Sequence, residues 1–441
     1  MQSPPPHNAL VHEHQLRFTV FQILLWILLG IAVGALCGSA SGIFLWWLDS
    51  VTRARGANPN LIFFLPLAGL LLGQMLATWG LNILGGNNLI LDTLNDDAAP
   101  RLPRRMTPLV LIGSLLTHLF GGSAGREGTA VQMGGSLADA LARLLNLHGN
   151  ARKQLISAGI AGGFGAVFGT PFAGAVFGVE VVRMGRIEYH ALVPALVSAL
   201  TGDWVARAIL HGVNLAHTPY PSVNAVAFTP LTALKLLALA AACAAASALF
   251  VELMHAFKSL LKRRVASMPL RLFLGGCVVV LLWQIAGTDQ YLGLSIPLLV
   301  DSFKEPALPL AAAAVPAFAF LWKIVFSAVT LGSGFLGGEV TPLFCIGATL
   351  GNSLSGPLGL PVSLAAACGF AAVFGACANT PLACAIMAVE LFGGNVLPHA
   401  ALVCVFAYLL TGHRGIYPSQ RLAFTKLGQA LDGPQKLEDF R

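Results

Sequence analysis

The sequence predicts an all-α polytopic membrane protein, and three observations predict it. Of the 441 residues 56% are apolar and only 10% charged, with a strongly positive mean hydropathy; a soluble multidomain protein has no need of such a balance. Residues 18–48, 56–91, 154–179 and 340–389 contain no Asp, Glu, Lys or Arg, and each run exceeds the roughly 20 residues that span a hydrocarbon core. Finally, 48 glycines and 25 prolines, many inside the apolar runs, predict short, tilted and broken helices. Irregular backbone at membrane depth survives only where protein or a water-filled cavity satisfies its polar groups, so this composition points to a transport pathway in preference to a packing scaffold.

Along the chain, residues 1–17 read as a short polar N-terminal segment. The apolar run that follows lacks a signal peptide's short apolar core and cleavage site, and is expected to be a retained helix. Self-comparison then divides the remainder. "TPFAGAVFGVEV" at 170–181 aligns with "TPLACAIMAVEL" at 380–391, an offset of 210, and Glu127 and Thr129 of "GREGT" align with Glu339 and Thr341 of "GGEVT" at 212. Two anchors in nearly one register predict two related halves, 18–212 and 227–432, joined by a linker at 213–226 and followed by a tail at 433–441. Basic flanks at 101–105 and 183–186 have no counterpart near 313–317 or 393–396, which favours opposite orientations of the halves. The net charge of +7 lies largely in such clusters, read as membrane flanks and not as a nucleic-acid surface. The eight cysteines form no CxxC pair and read as packed thiols, with no metal site or cofactor expected.

The candidate site lies at four helix beginnings. In "GGSAGREGT" Glu127 follows a glycine-rich approach and opens an apolar helix, where unpaired N–H groups and the helix dipole attract an anion. A carboxylate that competes with a soluble anion, and leaves when protonated, is a gate; a plain ion pair with Arg126 is the alternative. Glu339 in "GGEVTPLF" is the one charged residue between Lys323 and Glu390, and burying it costs a few kcal/mol unless it is protonated, hydrogen-bonded or hydrated. Thr341 before Pro342 reads as an N-cap with proline in the first turn. Asn87 and Asn88 in "LGGNNLIL" read as N-caps of a third helix, and Tyr417 before Pro418 as a phenolic donor at a fourth. Together they suggest an anion held at mid-membrane by N–H and hydroxyl donors. Glu180 and Glu390, matched by the repeat, read as buried helix-packing acids ahead of a proton role.

These motifs resemble the CLC family of chloride channels and anion/proton antiporters. "GGNNLI" is similar to its GSGIP region, "GREGT" to GREGP, and "GGEVTPLF" to GxFxP, in that order, with Tyr417 at the expected late position. The resemblance covers nearly the whole chain and implies a homodimer in the lipid bilayer, each subunit an inverted repeat of about eighteen helices with its own pathway. Chloride-type members have serine where this chain has Asn87, proline where it has Thr129 and no glutamate at Glu339; the inner proton-transfer glutamate of chloride/proton exchangers falls at Val181. Those departures look like the fluoride/proton antiporter branch, a multi-pass protein of the cell (inner) membrane serving fluoride resistance, with fluoride and protons as its ligands. By that resemblance Glu127 is the gating glutamate, Glu339 and Thr341 serve the central anion and proton pathway, and Asn87, Tyr417, Gly125, Gly128 and Thr129 line the anion site. A chloride-type exchanger or channel is the nearest alternative. An intramembrane enzyme would need a nucleophile–base pair or a metal motif such as HExxH, and the sequence offers neither.

Overall fold

The first charge-free run forms α1 (His7–Ala57), 51 residues long, in a computed structural model that describes residues 7–96, 99–223, 226–305 and 315–440. Its start at His7 makes residues 7–17 part of this helix, where the sequence suggested a separate polar segment. Gly30, Gly34, Gly38 and Gly42 recur every fourth residue and form one stripe. A methyl group on Gly34 would meet the Ser198 carbonyl at 2.6 Å, and one on Gly38 the Gly202 carbonyl at 2.4 Å. Such small-residue stripes let backbones touch where lipid offers no hydrophobic drive to helix association. The helix they touch is α8 (Leu192–Gly212).

Between these two, the first half contributes α2 (Leu65–Trp79), α3 (Asn87–Asn95), α4 (Met106–Leu119), α5 (Glu127–Leu144), α6 (Gly149–Phe168) and α7 (Pro171–Glu180). The second half contributes α9 (Pro230–Arg264), α10 (Met268–Ala286), α11 (Ile296–Asp301), α12 (Ala319–Ser333), α13 (Val340–Leu358), α14 (Val362–Ala378), α15 (Pro381–Phe392) and α16 (Leu397–Leu410). Sixteen α-helices therefore stand among the described residues, against the eighteen or so expected. Five helical stretches are long and apolar enough to cross a membrane alone, and α3, α7 and α11 are among those too short to do so. The surface carries large apolar side chains such as Leu28, Leu71, Trp79 and Trp204, as a multi-pass membrane protein requires.

The crossing of α5 on α6 recurs as α13 on α14. Gly134 would place a methyl 2.2 Å from the Gly159 carbonyl, and Gly347 one 2.0 Å from the Gly369 carbonyl. A second symmetric contact joins the halves. Glu180, closing α7, accepts from the Leu382 and Ala383 N–H groups at 3.1 and 2.8 Å, and Glu390, on α15, accepts from Phe172 and Ala173 at 3.0 and 2.7 Å. Each half thus supplies the carboxylate that satisfies the first turn of the other half's helix. Reciprocity of this kind is what a two-fold relation between the halves generates.

Elsewhere the structure departs from expectation. The connection between α8 and α9 spans 213–229, three residues longer than the 213–226 assigned from sequence; residues 224–225 lie outside the described ones. After α16 the chain turns to strand. The strands β1 (Arg183–Met184), β2 (Arg421–Phe424) and β3 (Ala430–Lys436) form a small sheet, parallel then antiparallel. An all-α reading misses it, and the boundary placed at 432/433 falls inside β3.

Candidate functional site

The loops preceding α5 and α13 meet at a two-bond bridge. The Gly125 N–H donates to the Gly338 carbonyl at 2.6 Å and the Gly338 N–H returns to the Gly125 carbonyl at 2.8 Å. The Gly125 N–H is therefore engaged by protein, where sequence reasoning had given it to an anion. Close approach is possible because Gly128 has no side chain: a methyl there would lie 2.8 Å from Gly338 Cα, 3.3 Å from Glu339 Oε2 and 3.4 Å from Asn87 Nδ2. The bare Cα of Gly128 is thus where α3, α5 and α13 converge, and it brings Asn87 of the first half to Glu339 of the second.

Glu127 opens α5 and is fully buried. Its carboxylate Oε2 accepts from the Arg126 N–H at the start of its own helix at 3.3 Å and also reaches across to the other half. Oε2 accepts from the Thr341 N–H at 3.1 Å and from Thr341 Oγ1 at 2.5 Å, so the acid of one half occupies the helix start of the other. Arg126 Nε lies 3.4 Å from Oε1, so the ion pair weighed as an alternative exists alongside the Thr341 contacts. Thr341 is not the N-cap expected; Glu339 holds that place and the helix begins at Val340, leaving the Thr341 hydroxyl free for Glu127. Likewise Gly86 caps α3, with Asn87 its first residue. Thr129 turns away from the convergence point and bonds Ser114 Oγ at 2.6 Å.

Three polar atoms at this centre are buried without a protein partner: Asn87 Nδ2, Asn87 Oδ1 and Glu339 Oε2. Buried polar atoms are rarely left so, and a cluster of them marks a place for a small polar or ionic ligand. Tyr417, buried, joins Asn87, Ile90, Leu91, Val131, Ile160, Phe177 and Val181 around a cavity of about 10 Å³, room for one water-sized particle. No helix begins at Tyr417. The chain turns at residues 418–419, Ser419 N–H donates to Asn88 Oδ1 at 3.1 Å and Oγ to Asp92 at 2.9 Å, and β2 follows.

Cavities flank the centre. A larger one of about 440 Å³ is lined by Glu339, Asn87, Asn88, Gln132, Lys258, Lys262 and Arg271. Another of about 240 Å³ is lined by Arg126, His217, Thr218, Asp49 and Thr52. Glu339 thus faces one mouth, and the arginine adjoining Glu127 faces the other; Lys258, Lys262 and Arg271 give the larger mouth an excess of positive charge, which draws anions, whereas Arg126 shares the smaller one with Asp49.

Sequence reasoning passed over two residues here. Lys323 is fully buried in α12, and its ammonium donates to Ser123 Oγ, the Tyr291 and Gly293 carbonyls and Ser295 Oγ at 2.8–3.2 Å. It thereby grips the loop that leads to Glu127, and a lone lysine inside an apolar run was the signal. Gln132, one and a half turns into α5, is buried with Oε1 unpartnered and lines the larger cavity. Seven of the eight thiols are buried and none is paired, and no cluster of three metal-ligating side chains occurs among the described residues.

Fold and site together define a membrane-embedded ion-transport protein. The family description "Voltage gated chloride channel" matches residues 69–412, and the chain belongs to that family, CLC. It is 42% identical over 422 residues to the "Chloride/fluoride channel protein" of Pseudomonas syringae pv. tomato, covering 94% of this chain and 90% of that one. Similarity to the "Voltage-gated ClC-type chloride channel ClcB" of Salmonella typhimurium is lower, 27% over 414 residues, covering 90% and 92%. Among solved structures, one described as a CLC-type fluoride/proton antiporter superposes with a TM-score of 0.84 at 34% identity, covering 91% of this chain and 99% of that chain. A slow cyanobacterial Cl⁻/H⁺ antiporter shares the fold, with a TM-score of 0.71 at 18% identity over 88% and 93% of the two chains.

Proposed function

We propose that this protein exports fluoride in exchange for protons, with Glu127 as the gate and Glu339 as the central group that handles both ions. The observation that carries the reading is the pair of carboxylates, one from each half, set about Gly128: Glu127 held by Thr341, Glu339 with an unpartnered Oε2 beside Asn87. Resemblance to the fluoride/proton antiporter structure, and to the chloride/fluoride relative, supports fluoride as the ion.

Physical chemistry supports it too. Fluoride holds its water tightly, so a site that strips it must return short, charge-assisted hydrogen bonds, which amide, hydroxyl and protonated carboxyl groups supply. A protonated Glu339 donates to fluoride; an ionised one repels it. That single switch couples proton to anion. One-for-one exchange moves two charges in the same electrical sense. At about 2.3 kcal/mol per charge per 100 mV, the potential contributes roughly 4.6 kcal/mol per cycle, about three decades of fluoride gradient.

Under this reading the Lys258–Lys262–Arg271 mouth faces the cytoplasm, in keeping with the positive-inside tendency. The halves 18–212 and 227–432 lie in opposite orientations, and the protein works as a homodimer in the cell (inner) membrane, surrounded by lipid and conferring fluoride resistance. The test is anion efflux from liposomes holding the purified protein. Fluoride should leave much faster than chloride and draw protons inward. Equal chloride flux rejects the subtype, and proton-independent fluoride flux rejects exchange.

A further inference from the structure

Resting on the fluoride reading, the geometry points to Tyr220, in the segment linking the two halves, as the hydrogen-bond donor that receives the anion on the Arg126 side of Glu127. The Tyr220 hydroxyl is shut off from solvent and has no hydrogen-bond partner. A phenol left thus destabilises the fold, because it gave up water and gained nothing. Phenylalanine would fill the same space without that penalty, so the oxygen calls for a role.

Its surroundings are built to hold it still. The ring meets Phe168, Phe303, Phe370 and Phe392 at centroid distances of 6.1, 6.4, 5.4 and 6.0 Å, the last three edge-on. Phe370 stacks at 4.0 Å on Phe344, three residues beyond the Thr341 that grips Glu127. The linker is pinned on both sides of the tyrosine. Thr218 Oγ1 accepts from Arg126 Nη2 at 3.2 Å, and the Val223 N–H donates to the Phe392 carbonyl at 3.3 Å. Burial pushes the Tyr220 phenol up, with Arg126 drawing it down and Glu127 pushing it up by smaller amounts, and Thr218, two residues before it, lines with Arg126 the cavity of about 240 Å³.

Apolar ring faces give little to a dehydrated fluoride, whereas one rigid O–H gives a short charge-assisted bond. When Glu127 leaves Thr341, the ion passing it reaches a wall of phenylalanine that carries this donor. An ordinary phenol titrates near 10, so the proton is present at any physiological pH. Of the neighbouring groups, His217 Nε2 contacts the Ala166 carbonyl at 2.8 Å, and Arg126 Nε and Nη2 are taken by Glu127 and Thr218.

Tyr220→Phe tests this by the sidedness of saturation. Fluoride exchange is followed with a fluoride electrode in everted and right-side-out membrane vesicles, wild type and variant in parallel. On the Arg126 side the fluoride concentration for half-maximal rate should rise about tenfold, the loss of one good hydrogen bond to an ion. On the Glu339 side it should stay within about twofold, with protons per fluoride unchanged. A smaller folded fraction lowers the maximal rate in both vesicle types and moves neither half-saturation, so poor expression does not mimic the effect. A half-saturation on the Arg126 side equal to wild type, or an equal rise on both sides, overturns the assignment. Absence of fluoride/proton exchange in the wild type instead overturns the function on which it rests.

Discussion

Replacing Thr341 by valine removes one oxygen from the contact that holds the gate shut and keeps the side chain's shape. The structure gives Glu127 Oε2 two donors from this residue, the hydroxyl at 2.5 Å and the N–H at 3.1 Å, both buried. Valine keeps only the second. A hydrogen bond to a charged group contributes about 1.5–3 kcal/mol, so the closed position of Glu127 should weaken by roughly 10- to 150-fold. Fluoride then passes without waiting for a proton, and the number of protons moved per fluoride falls well below that of wild type. Thr341→Ser keeps the hydroxyl and should stay within about twofold. The assay is simultaneous recording of fluoride and pH in liposomes, with thermal unfolding as the check on folding. If Thr341→Val moves as many protons per fluoride as wild type at the same rate, the hydroxyl does not hold the gate and the reasoning fails.

Other expectations follow from the same geometry. Glu127→Gln should abolish proton coupling, and Glu339→Gln should do the same or stop transport; unchanged coupled exchange in both would remove the mechanism. Glu180→Gln and Glu390→Gln should each lower the unfolding temperature through loss of charge at a helix start, an effect of about 1–3 kcal/mol apiece, while protons per fluoride stay constant; an altered ratio would show that these acids carry protons. Gly134→Ala and Gly347→Ala force a methyl to 2.2 and 2.0 Å from a carbonyl oxygen, and both should prevent recovery of folded protein, at a cost above the usual 1–3 kcal/mol of overpacking. A well-folded alanine variant at either position would contradict the packing described.

Much of the architecture was legible because lipid imposes length and because the repeat left its register in the letters. The 210-residue offset that aligned Glu180 with Glu390 is the same offset that relates their reciprocal contacts. Local cap rules fared worse. Thr341 and Asn87 looked like N-caps, yet the Gly125–Gly338 bridge fixes the backbone of the second loop so that its helix starts at Val340, and Gly86 takes the cap before Asn87. The decisive contact, Glu127 to Thr341, crosses 214 residues, and no local pattern encodes it. Tyr417, expected with Asn87 at the anion site, lines one small cavity with it, but β2, paired to β1 far back in the chain, took over where a helix was expected. Tyr220 and Gln132 carry no motif, and what singles them out is an oxygen without a partner, a property that exists only once the chain is folded.

The exchange of glutamates between halves also orders events during synthesis. Phe172 and Ala173 present bare N–H groups at the start of α7 as the first half leaves the ribosome, and their acceptor, Glu390, is made more than 200 residues later. Until then that helix start has no carboxylate from the other half, in a medium where unpaired backbone groups are costly. The first half therefore cannot complete its own helix start, and α7 gains its acceptor only when α15 arrives.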